Sequence, residues 1–317
     1  MNAVLRVGDL TVAPGQRAAG VQTIQGADQS LQVPLFVVNG SGEGPTLAVT
    51  GGIHGAEYAS IEAALQLGRS LSPESLRGRV IVAPVANMPA FRARSIYICP
   101  LDGLNLNRVF PGNTVGTATE QLAHWLLQNV IRPADYFVDL HGGDLVEALV
   151  PFTIYHRSGD ETVDRASLEL AQVFGIEYVV CSETLGSTYS AAAQAGIPAI
   201  LAESGGQGIW SPEAVSVLTD GVNRLMRHLG MLEGPAPDSR PTQTLSRFLW
   251  LRSEHDGYYY PEVAVGQTVS EGQQIGTVAD FQGNTLQSAT APAPGRILFL
   301  VSSLAINKGD PLLAIGA

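Results

Sequence analysis

Residues 50–58 read TGGIHGAEY and place His54 and Glu57 three positions apart, where an apolar run gives way through glycines. Histidine and glutamate are both common metal ligands. A catalytic zinc takes three protein ligands, of which two histidines and a glutamate are one standard set, and keeps a fourth position open. The spacing differs from the helical His-Glu-x-x-His of other zinc peptidases, a motif absent from the chain. A third ligand must therefore come from elsewhere. His141 in VDLHGG (138–143) qualifies, because it too closes an apolar run and is followed by two glycines that keep the site uncrowded. Asp139 shares a strand face with His141 and reads either as a carboxylate orienting that ligand or as a polar residue at a sheet end. His124, His156, His228 and His255 read as solvated or packed.

Hydrolysis at such a centre needs a base, and it needs positive charge where an oxyanion develops. The run AILAE ends in Glu203 and meets SGGQG, which suits a base aimed into a cleft; a solvent-facing glutamate at a sheet edge is the plainer alternative. Residues 102–112, DGLNLNRVFPG, set Asn107 beside Arg108 among apolar neighbours. A guanidinium offers a rigid fork of donors that matches a carboxylate, so this pair suits an anionic group of the substrate. Upstream, Arg92 and Arg94 in FRARS could each polarise a carbonyl.

These residues need a frame that gathers strand ends. LAVTGG (47–52), VIVAPVAN (80–87), YFVDLHG (136–142) and PAILAESG (198–205) read as buried strands. Helical periodicity marks residues 57–70, 117–131, 160–174, 187–195 and 211–229, and Thr117 with Glu120 forms a capping-box pattern. Alternating strands and helices predict an α/β fold with a mixed, mostly parallel sheet and its site at strand carboxyl ends. After a proline-rich stretch, GPAPDSRP (234–241), helical periodicity stops and short runs separated by glycine turns begin. The expected organisation is a catalytic α/β domain over 1–236 and a small all-β domain over 237–317, with a linker at about 233–243.

The composition removes other classes. Of 18 basic residues only Lys308 is a lysine, and it sits in a carboxyl-terminal turn. That position serves neither a phosphate-binding loop nor Schiff-base chemistry. A net charge of −11 argues against nucleic acid and anionic membrane surfaces as partners. No uncharged apolar run is long enough for a membrane span, no signal-peptide pattern opens the chain, and there are two cysteines, Cys99 and Cys181. A reducing cytoplasm is the expected location.

GGIHGAEY, NLNRVFPG, VDLHGG and LAESGG follow the order and spacing of the succinylglutamate desuccinylase/aspartoacylase family, which the chain resembles over essentially its whole length. That family has a zinc carboxypeptidase-like fold. The resemblance implies one zinc per chain on His54, Glu57 and His141. Glu203 would be general base toward the attacking water and then acid toward the leaving amine. It implies that Asn107 and Arg108 clasp a substrate carboxylate. Arg94, standing before the Pro-x-Asp-Gly segment, is favoured over Arg92 for steadying the carbonyl oxygen. The implied reaction is hydrolysis of a small N-acyl amino acid to a carboxylate and a free amine. Some similar bacterial members resemble deacetylases of N-acetylated diamino acids, and the extra basic contacts of members acting on dicarboxylic amino acids find no match here. A carboxypeptidase acting on peptides and a non-catalytic metal-binding protein are the alternatives. The carboxyl-terminal module resembles the biotinyl/lipoyl carrier fold. Its hairpin tip, Asp280–Asn284, lacks the modified lysine, which leaves a lid, a spacer or a homo-oligomer contact as its role. Tyr258, Tyr259 and Tyr260 open the module and would either touch substrate or pack at a domain interface.

Overall fold

The computed structural model describes residues 2–25, 30–235, 237–238 and 240–317. Among them a nine-stranded sheet forms the centre of the molecule. Its strands are, in chain order, β1 (Gln16–Gln25), β2 (Ser30–Asn39), β3 (Gly42–Thr50), β4 (Arg77–Ala83), β5 (Tyr136–His141), β6 (Phe152–His156), β7 (Tyr178–Ser182), β8 (Ala199–Glu203) and β9 (Gln243–Leu245). They are arranged β9-β7-β6-β8-β5-β3-β4-β2-β1. The four central strands, β4, β3, β5 and β8, run parallel, and β6 turns antiparallel to β8. The parallel strands are buried on both faces, which is why Leu47–Thr50 and Phe137–His141 read as unbroken buried runs rather than alternating ones.

Helices cover both faces. On one lie α1 (Tyr58–Ser70), α4 (Glu161–Phe174) and α6 (Pro212–His228), whose apolar stripes pack on Val49, Val138 and Ile200. On the other lie α3 (Ala118–Leu126) and α5 (Thr188–Gln194), against Ala48, Phe137 and Leu201. The expected capping box forms: the Glu120 backbone N–H donates to the Thr117 hydroxyl, and the Thr117 N–H donates to the Glu120 carboxylate. The stretch predicted as one helix over 117–131 is α3 followed by a wider π-helical turn over Leu127–Ile131. A short helix, α2 (Met88–Ala93), follows β4.

The carboxyl-terminal residues build two further sheets around a separate apolar core. One contains Phe248–Arg252, Pro311–Gly316, Gly295–Val301 and Thr268–Val269, and Glu147–Leu149 of the α/β part pairs onto its Gly295–Val301 strand. In return β9, just after the proline-rich stretch, adds to the large sheet beside β7. Each part thus lends the other a strand. At the hairpin tip Asp280 accepts backbone hydrogen bonds from Gln282 and Asn284. No helix of the described residues is long and apolar enough to cross a membrane.

Candidate metal centre and active site

His54 and Glu57 lie between the carboxyl end of β3 and α1, and His141 is the last residue of β5, the neighbouring parallel strand. Close backbone approach shapes the site. A Cβ on Gly55 would stand 2.1 Å from the backbone of α2 at Ala90, and one on Gly142 would stand 2.5 Å from the carbonyl oxygen of Ser204 beyond β8. Only glycine allows both approaches.

The Glu57 carboxylate faces both imidazoles, at 2.6 Å from His54 Nδ1 and 2.9 Å from His141 Nδ1. Each outer ring nitrogen has an oxygen partner: His141 Nε2 meets Asp139 Oδ2 at 2.9 Å, and His54 Nε2 meets Asn105 Oδ1 at 3.1 Å. Those partners are acceptors, so in the neutral rings each Nε2 carries the hydrogen and each Nδ1 is left with a lone pair turned inward. Three electron-pair donors therefore converge, with ligand atoms within 4.8 Å of one another. Lone pairs facing a carboxylate repel unless a cation or protons lie between them, so the donor set fits a divalent metal such as zinc. Burial disfavours ionised Glu57, yet the two imidazoles outweigh it and hold the carboxyl below its usual range. Burial likewise disfavours charged His141, and Asp139 and Glu57 outweigh it to raise its proton affinity well above normal.

Asp139 is fully buried and three groups donate to it: His141, the Thr50 hydroxyl at 2.7 Å and the Thr188 hydroxyl. Its place is that of a carboxylate fixing the ring orientation of a candidate ligand, and partners of this kind are typically worth about 10–100-fold in metal affinity. Asp139→Asn is accordingly expected to weaken zinc binding about 10–100-fold, read by competition with a chelator of known affinity. Unchanged affinity would make Asp139 a packing residue.

Strand register sets the next residue. Glu203, last in β8, lies directly opposite His141, and Phe152 of β6 lies opposite Glu203. Glu203 Oε2 is buried without a hydrogen-bond partner. Burial, with Glu57 and Glu147 nearby, raises its pKa well above the usual carboxylate value, and His141 opposes that shift. A carboxylate oxygen with no partner beside three converging donors is where a base for an attacking water would stand.

Asn107 is buried; its side chain accepts from the Thr188 backbone N–H at 2.9 Å, and its amide nitrogen is 3.5 Å from His141 Nε2. Exposed Arg108 donates to the Asn107 carbonyl and lines the cavity. That cavity, about 380 Å³, holds His54, Glu57, His141, Glu203, Asn107 and Arg108 in its walls. Arg94 is not brought there. It caps α2 in a left-handed conformation, is exposed, and is absent from the cavity walls; Arg92 bonds Gln32 instead.

Several wall residues went unrecognised in the sequence. Tyr97, Asn105 and Glu147 line the cavity close to the histidines, and Phe248, Trp250 and Phe299 reach it from the carboxyl-terminal module. Their rings join Phe152 in a chain of contacts with centroids 4.9–5.4 Å apart. The tyrosine triplet has no part in this: Tyr259 is buried in the module's own core, and Tyr258 packs with Tyr260 and Phe281. A local signal existed for Asn105 and Glu147, in the Asn-x-Asn of GLNLNR and the acidic DLVE that follows HGG. None existed for the aromatic wall.

A family model, succinylglutamate desuccinylase/aspartoacylase catalytic domain, matches residues 43–229. An N-alpha-acetyl-L-2,4-diaminobutyric acid deacetylase of Halomonas elongata is 35% identical over 298 residues, which cover 90% of this chain and 86% of the relative. The product-bound ectoine utilization protein EutE (DoeB) of Ruegeria pomeroyi superposes with a TM-score of 0.88 at 28% identity, covering 98% of both chains. A succinylglutamate desuccinylase/aspartoacylase structure from Rhodobacter sphaeroides gives 0.87 at 27% identity, also over 98% of both. Fold and relatives together define a hydrolase acting on amides. The chain belongs to the succinylglutamate desuccinylase/aspartoacylase family.

Proposed function

We propose that this protein is a zinc-dependent deacylase that cleaves the amide of a small N-acyl amino acid, with an N-acetylated diamino acid as its substrate. The observation that carries this reading is the unpartnered Glu203 oxygen beside the converging donors of His54, Glu57 and His141. Zinc held by those three residues, one ion per chain, would supply Lewis acidity at the reacting amide. Glu203 takes a proton from the water that attacks the carbonyl carbon and passes it to the amide nitrogen as the C–N bond breaks. The products are a carboxylate and a free amine. Asn107 and Arg108 hold the substrate carboxylate, which fixes the amide against Glu203. The aromatic wall from the carboxyl-terminal module bounds the cavity and suits a small substrate better than a peptide.

Charge supports the amine. The cavity walls hold Glu57, Glu147, Glu183 and Glu203 against a single guanidinium, Arg108. Even with Glu183 paired to Arg157 at 3.2 Å and a divalent cation offsetting Glu57, the walls offer an ammonium group carboxyl partners and only one opposing guanidinium. The acetyl-diaminobutyrate deacetylase among the relatives agrees with that chemistry. With zinc-loaded protein, kcat/KM for N-α-acetyl-2,4-diaminobutyrate is expected to exceed that for N-acetylaspartate by at least ~10-fold, a difference of ~1.4 kcal/mol. A preference for N-acetylaspartate would overturn the amine assignment. The two free cysteines, one buried and one half-buried, support a reducing cytoplasm as the site of action.

A further inference from the structure

We infer that Tyr97 is a catalytic residue whose phenol donates a hydrogen bond to the substrate carbonyl oxygen as charge builds there, the task assigned to Arg94 on sequence. The inference rests on the deacylase reading and adds a residue to it.

The need comes first. Attack on an amide carbonyl places negative charge on its oxygen, and a fixed donor aimed at that oxygen is among the largest contributions an active site makes. Arg94 stays outside the cavity, and Arg108 is committed to the Asn107 backbone and the carboxylate end. Tyr97, by contrast, is in the cavity wall, its ring edge-on to His54 with centroids 6.3 Å apart.

Its backbone is held in an uncommon state. Tyr97 has φ +60°, and the Ile98 N–H donates to the Ile96 carbonyl at 2.7 Å, closing a three-residue turn around it. A bulky residue rarely adopts this left-handed conformation, and such turns persist only where surroundings impose them. Here two carboxylates do so. The Tyr97 N–H donates to Asp144 Oδ2 at 2.9 Å, and the phenol donates to Glu147 Oε1 at 2.5 Å. Glu147 is itself buried, and its other oxygen accepts from the Asp144 N–H at 2.7 Å. Asp144 and Glu147 lie just beyond His141-Gly142-Gly143, so the segment leaving the third candidate ligand also sets the position of the phenol.

The chemistry of the pair suits a donor. Burial, with the Glu147 carboxylate adding to it, holds the phenol in its protonated form far past neutral pH. Burial pushes Glu147 up to about 7, so near neutrality its carboxyl often carries a proton. A protonated Glu147 donates to the phenol oxygen, and the phenol hydrogen is then free to point at the substrate. Glu147 and Asp144 are positioning residues; Tyr97 touches the reacting atoms.

The test is Tyr97→Phe in zinc-loaded protein. Two calorimetric affinities are measured beside kcat and KM: one for the N-methylphosphonamidate of 2,4-diaminobutyrate, a tetrahedral mimic, and one for the product amino acid. Inactive molecules alter the calorimetric stoichiometry rather than either affinity, so partial misfolding leaves the comparison valid. The expected result is a fall in kcat of ~10²–10³-fold with KM within ~3-fold, a matching loss of affinity for the mimic, and unchanged affinity for the product. A kcat within ~3-fold of wild type, or equal losses for mimic and product, would overturn the inference. Wild-type protein that shows neither turnover nor any preference for the mimic would overturn both the inference and the deacylase reading. Wild-type preference retained in Tyr97→Phe would overturn the inference alone.

Discussion

Glu203→Gln is expected to lower kcat by ~10³–10⁴-fold while zinc stoichiometry and the unfolding midpoint stay at wild-type values. The size follows from two roles for one group: an amide side chain neither removes a proton from water nor returns one to the leaving nitrogen. The preservation of fold follows from shape. Glutamine is nearly isosteric, and Glu203 Oε2 has no hydrogen bond to lose. A buried carboxylate facing Glu57 and Glu147 costs the fold more than a neutral amide, so the variant is also expected to be at least as stable in the metal-free state. Activity within ~10-fold of wild type would move the base elsewhere.

The second large effect lies at the metal. His141→Ala is expected to take bound zinc from one equivalent to below about half after supplementation, and to abolish turnover, because two remaining ligands cannot hold a catalytic ion. His141 is almost completely buried between Asp139 and Glu57, so its loss also leaves both carboxylates facing each other without a cation. Proton counting gives an independent check. In the metal-free chain Asp139 and Glu57 raise the His141 pKa well above 6.5, and burial raises that of Glu203 well above 4.5. Both shifts favour bound protons, and a cation at the site opposes them. Zinc uptake at pH 7 is expected to release protons, and apparent affinity to fall as pH falls, read by calorimetry in buffers of different ionisation enthalpy. Proton-neutral binding would place the ion elsewhere.

The candidate metal ligands were legible because their signal is local. His54-x-x-Glu57 is a contiguous motif, and His141 stands with its glycines at a second strand end, so parallel neighbours bring the two together. Glu203 was legible for the same reason, as an acid closing an apolar run. The helices were found to within about two residues where amphipathic stripes and caps exist, as at Asp160 and Ser211, whose side chains accept from their first turns. Other features left less trace. β6 and β7 are short apolar runs, and the antiparallel placement of β6 against β8, with β7 parallel beyond it, comes from tertiary packing; β1 and β2 carry half-exposed patterns outside the alternating α/β series. Arg94 is favoured in the sequence by its place before Pro-x-Asp-Gly, whereas position in space is decided by the turn at Ser95–Ile98, which brings Tyr97 to the cavity and leaves Arg94 on the surface. The aromatic wall depends on Glu147–Leu149 pairing with residues 299–301, a contact about 150 positions apart that no local pattern encodes.

The most direct measurement is carboxylate release from a panel of acetyl-, formyl- and succinyl-amino acids and short peptides, with zinc-replete protein and again after chelation. The expected result is rapid hydrolysis of an N-acetylated diamino acid, slower hydrolysis of the other acyl amino acids, little peptide cleavage, and loss of all activity on chelation with recovery on adding zinc. Peptide cleavage outpacing every acyl amino acid, or turnover undiminished in metal-free protein, would contradict the account.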